Sequence, residues 1–362
     1  MAAPLTVAVT GLHSGDNPQP GAAVIRSLRR RIPDIRIVGL SYDPLESALY
    51  SHGIDRVDSV YLLPFPIKGP EVLLDRMRYI LKKEQLQILI PCLDSELSNF
   101  MTIYPELERR GVAAMLPTRS ALDMRAKENL AEFCRRNSFG GPKTFAAHDV
   151  SKLLQYAGEI GYPVYVKGKY YEAWLVDTPA DLVEKFDSIS RIWGTPVLVQ
   201  EALVGEEFDV LGLADEGGEI VGHCAIRKLL RTRAGKGFGG VVINDPAVTR
   251  LARQIIKALG WSGPFEIEFL KSAGRPHLLF EINPRFPTWV DFPSQIGCNL
   301  PFRLVEMIVG AHNPTTPSNC DAGQMFIRHS IDLVGDIAEL AKLSSDGEYA
   351  AGSLAPKAEA ST

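Results

Sequence analysis

The sequence predicts a parallel α/β domain followed by an α+β region dominated by antiparallel strands. Two patterns carry that expectation. The first third alternates short apolar strands with helical segments, the rhythm of βαβ units in a parallel sheet. Beyond about residue 160, strand-like runs follow one another with few helices between them, which implies antiparallel pairing. Size agrees: 362 residues, 46% hydrophobic and 23% charged, suit two or three packed units of an ordinary globular protein.

In chain order, residues 5–10 (LTVAVT), 35–40 (IRIVGL), 57–62 (VDSVYL) and 87–91 (QILIP) read as strands. The stretches 21–31, 69–83 and 94–110 carry helical periodicity. The loop after the first strand, GLHSGDNPQPG, does not spell GxGxxG, so a tight crossover turn explains it better than a dinucleotide site. Residues 118–138 read as one helix closed by Gly140, Gly141 and Pro142. Short strands then fall at 163–167, 172–176 and 197–201, with a helix near 178–190. Longer strands fall at 207–213, 219–227, 264–270 and 277–283, with helices at 246–259 and 298–310. The glycine-rich stretch RTRAGKGFGG, 231–240, reads as a mobile loop over an active site, although a solvated hairpin turn has the same composition.

Several function classes fit poorly. Five cysteines (Cys92, Cys134, Cys224, Cys298, Cys320) are scattered without a CxxC pair, and seven histidines lack ligand spacing, so neither a disulfide framework nor a zinc site is indicated. A net charge of −4 offers no basic footprint for nucleic acid. No apolar run reaches the length of a membrane span, and MAAPLTVAVTG has no basic, long-apolar leader pattern, so the expected location is the cytoplasm.

The chemistry concentrates in Phe265-Glu266-Ile267-Glu268-Phe269 and, after a turn, Leu278 to Arg285, which reads LLFEINPR. Alternation along two antiparallel strands puts Glu266 and Glu268 on one face, and Glu281 and Asn283 together on another. Magnesium takes hard oxygen donors from one or two carboxylates with phosphates completing its shell, which suits Glu268, Glu281 and Asn283. Arg285 presents a planar fork to an anion. Solvated glutamates on an exposed strand would look similar in sequence.

These segments, in this order, resemble the ATP-grasp superfamily over about residues 5–310. The branch is that of carbamoyl phosphate synthetase large subunits, biotin carboxylase-like enzymes and carboxylate-amine ligases. The resemblance implies an ATP-grasp fold: a pre-ATP-grasp Rossmann-like domain at 1–117, linker helices and a lid subdomain at 118–200, an antiparallel C-terminal domain at 201–341, and a flexible tail at 342–362. ATP would lie between the last two domains. Lys127 in MRAKENL and Lys167 in YPVYVKG match lysines that contact phosphate. Glu201 and Leu203, in VLVQEALVGEEFDV, match adenine-reading positions, and Glu207 matches the ribose-binding glutamate. Glu268, Glu281, Asn283 and Arg285 match metal and phosphate positions. LIPCLDSEL at 89–97 resembles the end of the N-terminal domain, with Asp94 and Glu96 toward the substrate or favoured by a helix N-terminus.

The implied reaction is ATP- and Mg2+-dependent activation of a carboxylate as an acyl phosphate, with Mn2+ as a substitute metal, followed by attack of an amine or related nucleophile. Arg285 and Lys167 are the catalytic candidates. Arg227, Lys228, Arg231 and Arg233 are candidates to hold a substrate carboxylate, or else an exposed basic strand-loop segment. Substrates would be small-molecule or peptide carboxylates and amines, without nucleic acid or membrane, and a homodimer is compatible with this. One departure stands out. The family's glycine-rich lid loop is reduced after Lys167 to GKYYEAWLV, where Lys169, Tyr170 and Tyr171 replace glycines as cover for the nucleotide. The alternative is a nucleotide-binding regulatory or assembly protein with a degenerate lid loop.

Overall fold

The parallel sheet forms because its strands are nearly all apolar and are covered by helices on both faces. The structure, a computed structural model, describes residues 4–14, 18–168, 173–232, 237–311 and 320–350. It begins with β1 (Thr6–Val9), α1 (Gly21–Arg29), β2 (Arg36–Ser41), β3 (Ser59–Leu62), α2 (Pro70–Lys83), β4 (Ile88–Ile90) and α3 (Asp94–Arg109). The strands lie parallel in the order β3-β2-β1-β4. Leu73, Met77 and Ile80 of α2 and Phe100, Ile103 and Leu107 of α3 pack on one face, while Ala22, Ile25 and Leu28 of α1 pack on the other. Gly21 is required where α1 starts, because a Cβ there would strike the backbone oxygens of Thr10 and Gly11.

The expected single helix over 118–138 is two. α4 (Arg119–Met124) starts at Thr118, whose side chain accepts from the Ala121 amide, and α5 (Lys127–Arg136) restarts after Arg125 and Ala126. The break turns Lys127 into the first residue of its helix. The second unit follows: β5 (Thr144–Ala147), α6 (Val150–Ile160), β6 (Val164–Lys167), β7 (Ala173–Val176), α7 (Pro179–Trp193) and β8 (Val197–Glu201). Its sheet, β5-β8-β6-β7, is antiparallel throughout and has its own core of Leu153, Ala157, Val164, Val166, Leu182 and Ile189, among others. Neither β5 nor α6 was expected from the sequence, although Asp149, which accepts from the Lys152 amide, and Gly161 mark the ends of α6. Lys169, Tyr170 and Tyr171 lie outside the described residues.

The third unit contains β9 (Glu206–Ala214), β10 (Ile220–Arg231), β11 (Gly237–Val242), α8 (Pro246–Leu259), β12 (Gly263–Lys271), β13 (Leu278–Asn283), α9 (Asp291–Gln295), α10 (Leu300–Ile308) and β14 (Met325–Ile327). Its six strands run β13-β12-β9-β10-β11-β14, all antiparallel. α8 follows from local chemistry: Asp245 accepts from the amides of Ala247 and Val248, Pro246 sits at the first helical position, and Gly260 ends the helix in the left-handed region at φ 59°. Its Val248, Ala252, Ile255, Ile256 and Leu259 cover one sheet face together with fully buried Trp261.

Two expectations need correction. The second half of the supposed mobile loop, from Gly237, is strand β11, with Gly240 opposite Lys228 and Phe326. Glycines at 239 and 240 suit strand packing, because a Cβ at either would crowd Leu230, Ile226 or Phe326. Residues 233–236 of that stretch lie outside the described residues. The supposed tail from 342 is ordered to 350: α11 (Ile337–Asp346) leads to β15 (Glu348–Ala350), which adds antiparallel to β3 at the edge of the first sheet. Buried Tyr349 donates to the Leu49 carbonyl, and Arg76 donates to the Gly347 carbonyl at 2.7 Å.

On β9 Gly212 faces Phe265 of β12, and a Cβ at 212 would run into the aromatic ring. Both residues are buried, so the ring has nowhere cheap to go. Gly212→Ala is expected to cost about 1–3 kcal/mol, read as a lower urea midpoint with an unchanged slope. An unchanged midpoint would mean the ring is not packed on Gly212.

Candidate active site

Cross-strand register builds the site. Glu266 is opposite Asn283, Glu268 is opposite Glu281, and on the other side Glu268 is opposite Asp209 of β9. Directly opposed residues project to the same face of a sheet, so Glu266, Glu268, Glu281 and Asn283 share one face. The expectation of two separate faces is therefore corrected. Alternation within each strand holds, but register across strands decides the common face, and one residue of slip would reverse it.

Asp209, Glu266 and Glu268 place carboxylate oxygens within 4.8 Å of one another. Burial pushes the Asp209 and Glu266 carboxyls above their ordinary range, and nearby carboxylates push the same way. The counter-charge is Lys228 of β10, whose side chain is 2% exposed. Its ammonium lies 2.6 Å from Glu268 Oε2, 3.1 Å from Asp209 Oδ1 and 3.5 Å from Glu207 Oε2. Burial opposes its charge, but Asp209, Glu268 and Glu266 outweigh that and hold it protonated. Lys228 is thus no exposed basic residue and is not placed to grip a substrate carboxylate. Arg227 instead pairs with exposed Glu206 at 2.6 Å, Arg231 pairs with Glu207, and Arg233 lies outside the described residues.

Asn283 knits the acids together: its Nδ2 donates to Glu266 Oε2 at 3.0 Å and to Glu268 Oε1 at 3.1 Å. Trp289 Nε1 donates to Glu266 Oε1 at 2.8 Å. The residues present fit a magnesium ion. All donors are hard oxygens, and both buried Asp209 oxygens lack a hydrogen-bond partner, since the Lys228 contact is an ion pair without hydrogen-bond alignment. Asp209 and Glu266 were missed as metal candidates. The alternating pattern of EEFDV was visible, but only strand pairing brings Asp209 beside Glu268.

A cleft beside this face is lined by Lys127, Leu130, Thr144, Lys167, Gln200 and Glu281, with further apolar wall from Leu198 and Leu279. Lys167, the last residue of β6, donates to Gln200 Oε1 at 2.6 Å and stands 4.3 Å from the centre of the Phe280 ring. Burial, then Lys127, lowers its pKa to about 8, against the pull of Glu281, Glu268 and Glu207. Lys127 Nζ lies 3.5 Å from Glu281 Oε1. The two lysines and Glu281 are therefore one electrostatic neighbourhood. Glu201 and Leu203 stand at the end of β8 off the cleft wall. The Glu201 carboxylate accepts from Arg275 at 3.0 Å and from the Lys143 amide at 3.1 Å. Glu207, also off the wall, is held by Lys228 and Arg231.

Arg285 joins this face to the first domain. Its Nε donates to Asp94 Oδ1 at 2.8 Å, and Nη1 lies 3.7 Å from Glu266 Oε2. Asp94 also accepts from Arg125 at 3.0 Å, and these two arginines overcome burial and hold the Asp94 carboxyl below its usual range. Glu96 has another role. Burial raises its pKa to about 7, while it accepts from Thr10, from Tyr42 at 2.6 Å and from the Cys92 and Leu93 amides, tying α3 to the sheet. Arg328, after β14, was not foreseen, because QMFIRHS carries no motif. It donates to Thr288 Oγ1 at 3.0 Å while its buried Nη1 has no partner, and burial, followed by Arg26, lowers its pKa to about 10.

Lys167 gives a testable stability signature. Its folded pKa of about 8 lies below the ordinary 10.5, so the unfolded chain binds more protons between those values. The charged lysine therefore opposes folding at neutral pH, and this opposition fades as pH rises through that window. Lys167→Met is expected to match or exceed the parent urea midpoint at pH 7, with the advantage shrinking toward alkaline pH. A lower midpoint at pH 7 would show that the lysine stabilises the fold.

Residues 194–325 match the family model described as ATP-grasp in the biosynthetic pathway with Ter operon. The arginine-specific carbamoyl phosphate synthase large chain of Neurospora crassa is 24% identical over 302 residues, covering 77% of this chain and 25% of its own length. The chain thus spans about a quarter of that relative. Among solved structures, a biotin carboxylase–βγ-ATP complex from Campylobacter jejuni superposes with TM-score 0.66 at 16% identity, over 86% of this chain and 72% of that one. The biotin carboxylase domain dimer of Hydrogenobacter thermophilus 2-oxoglutarate carboxylase, with MgADP, ADP and bicarbonate, gives 0.65 at 16% identity, over 88% and 73%. Among the described residues no helix is long and apolar enough to cross a membrane. The segment 194–325 is thus similar to ATP-grasp proteins, and the three-unit architecture has the fold of these biotin carboxylase structures.

Proposed function

We propose that this protein is an ADP-forming ligase that uses ATP and Mg2+ to activate a carboxylate for attack by an amine or related nucleophile. The observation that carries the reading is the buried acid cluster of Asp209, Glu266 and Glu268, with Asn283, Glu281 and Arg285 around it, beside a cleft bearing Lys127 and Lys167. Glu268, Glu281 and Asn283, with Asp209 beside them, would hold the metal, which supplies charge neutralisation at the phosphates when bound. Lys127 and Lys167 bind the phosphate oxygens. Glu201 and the backbone at Leu203 read adenine, which requires Glu201 to exchange its Arg275 contact, and Glu207 takes the ribose hydroxyls.

The remaining work is positioning. Arg285, held in line by Asp94, steadies the transferred phosphoryl group as the substrate carboxylate oxygen attacks γ-phosphorus and ADP leaves. The amine then attacks the acyl carbon and phosphate departs. Arg328 offers an unpartnered Nη1 to a substrate anion on the same side of the sheet as Thr288 and Glu266. Two structural neighbours are nucleotide complexes, one with βγ-ATP and the other with MgADP and ADP, which supports the nucleotide.

The deciding experiment pairs calorimetry with product release. Glu281→Gln is expected to lose Mg2+-dependent ATP affinity, and ADP release from the parent protein is expected to rise sharply when carboxylate and amine pools are supplied together. Unchanged Mg2+-dependent affinity in Glu281→Gln and Asn283→Ala would remove the metal site. Tight ATP binding with no ADP above the Glu281→Gln control would favour a regulatory role.

Lys167→Ala separates phosphate from base recognition. The ammonium meets phosphates only, so ATP affinity is expected to fall by about tenfold or more, as for a lost charge-assisted contact of roughly 1.5–3 kcal/mol, with AMP affected less. Equal loss for both nucleotides would assign Lys167 to the fold.

A further inference from the structure

Gln200 stands between a lysine and a hydroxyl on one face of the second unit's sheet. It lies in β8 opposite Thr144 of β5 and, on the other side, opposite Tyr165 of β6. Lys167 follows Tyr165 by two residues, so strand alternation brings Thr144, Gln200, Tyr165 and Lys167 to the same face. Val164, Val166, Val197 and Val199 take the opposite face and fill that unit's core. Gln200 is 7% exposed, and its amide is used at both ends: Oε1 accepts from Lys167 Nζ at 2.6 Å, and Nε2 donates to Thr144 Oγ1 at 2.9 Å.

A backbone carbonyl fixes which way the amide points. Thr144 has one hydroxyl proton, and it donates that proton to the Pro142 carbonyl at 3.1 Å. Toward Gln200 its oxygen can then only accept, which requires Nε2 on that side and leaves Oε1 to face the ammonium. The reversed amide would set Nε2 against a group that only donates, and Oε1 against an oxygen whose proton is already engaged. Pro142 is itself buried in the connection between α5 and β5, and the adjoining Lys143 carbonyl accepts from the Glu201 amide at 2.8 Å. The chain of contacts thus starts at anchored backbone and ends at Lys167. A neutral amide oxygen also differs from a carboxylate at this place: it orients an ammonium without cancelling its charge.

We propose that Gln200, oriented by Thr144, is a positioning residue for the nucleotide phosphates: it aims the Lys167 ammonium into the cleft while leaving its charge intact. This rests on the reading of Lys167 as a phosphate ligand. An ammonium has three protons, and Gln200 takes one, so the others serve phosphate oxygens. The Phe280 and Tyr165 rings, centred 4.3 Å and 5.6 Å from Nζ, flank it without competing as strong acceptors. Without the Gln200 oxygen, the flexible four-carbon stem lets the ammonium turn toward Glu281, its neighbour in the cleft.

Calorimetry on the full chain, titrated with MgATP and with AMP, tests this. Gln200→Met and Thr144→Val are each expected to weaken ATP by roughly threefold to tenfold, as for one lost hydrogen bond, with AMP affected less. Thr144→Ser, which keeps the hydroxyl, is expected to restore the affinity lost in Thr144→Val. In a Lys167→Ala background the same substitutions are expected to cost ATP nothing further, because they act through the ammonium alone. Unchanged ATP affinity in Gln200→Met and Thr144→Val, with affinity lost in Lys167→Ala, would overturn the positioning role and leave Lys167 as a phosphate ligand. Unchanged affinity in Lys167→Ala would remove both. Equal losses for ATP and AMP, or losses that add in full to that of Lys167→Ala, would make Gln200 a direct base contact or a packing residue. Thr144 is half-buried and valine has nearly its shape, so Thr144→Val carries the test if Gln200→Met does not fold.

Discussion

The ammonium of Lys228 among buried carboxylates is the interaction on which the site depends. Like charges about 4 Å apart repel by roughly 4 kcal/mol at an effective dielectric constant near 20. As carboxylates, Asp209, Glu266 and Glu268 are held on one face by an enclosed cation. Lys228 supplies one positive charge and Arg285 a second at the margin, 3.7 Å from Glu266. The same balance argues that removing Lys228 would leave uncompensated buried charge, a far larger disturbance than loss of an exposed ion pair.

This cluster is held by packing on both sides. Phe265, Ile267 and Phe269 alternate with Glu266 and Glu268 and bury against α8, which fixes β12 with its acids pointing away from that core. On the acid side, Leu211, Ile226, Phe286 and Trp289 share a core with α1 and α10, so the first domain docks directly on the sheet that carries the site. Polar contacts repeat the link: Arg30 and Arg26 pair with Asp291, and Asp94 fixes Arg285. The second unit keeps a separate core, and its contribution to the cleft is Lys167, Leu198, Thr144 and Gln200. A unit with its own core can shift as a body without unpacking the rest.

Periodicity and end signals in the sequence determined the elements with strong local chemistry. The four parallel strands, α2, α3 and α8, and the long strands β9, β10, β12 and β13 all lie where apolar pattern, Pro246 and Gly260 put them. The sequence also determined the membership of the EINPR segment and its resemblance to the ATP-grasp proteins. It did not determine the break between α4 and α5, the pairing of β11, or the return of β15 to the first sheet, because glycine-rich and short edge strands owe their structure to partners far along the chain. Nor could it place Asp209 beside Glu268 or Lys228 between them. A strand records which of its residues share a face, but only pairing with its neighbours decides which faces meet, and hence whether separate carboxylates become one site.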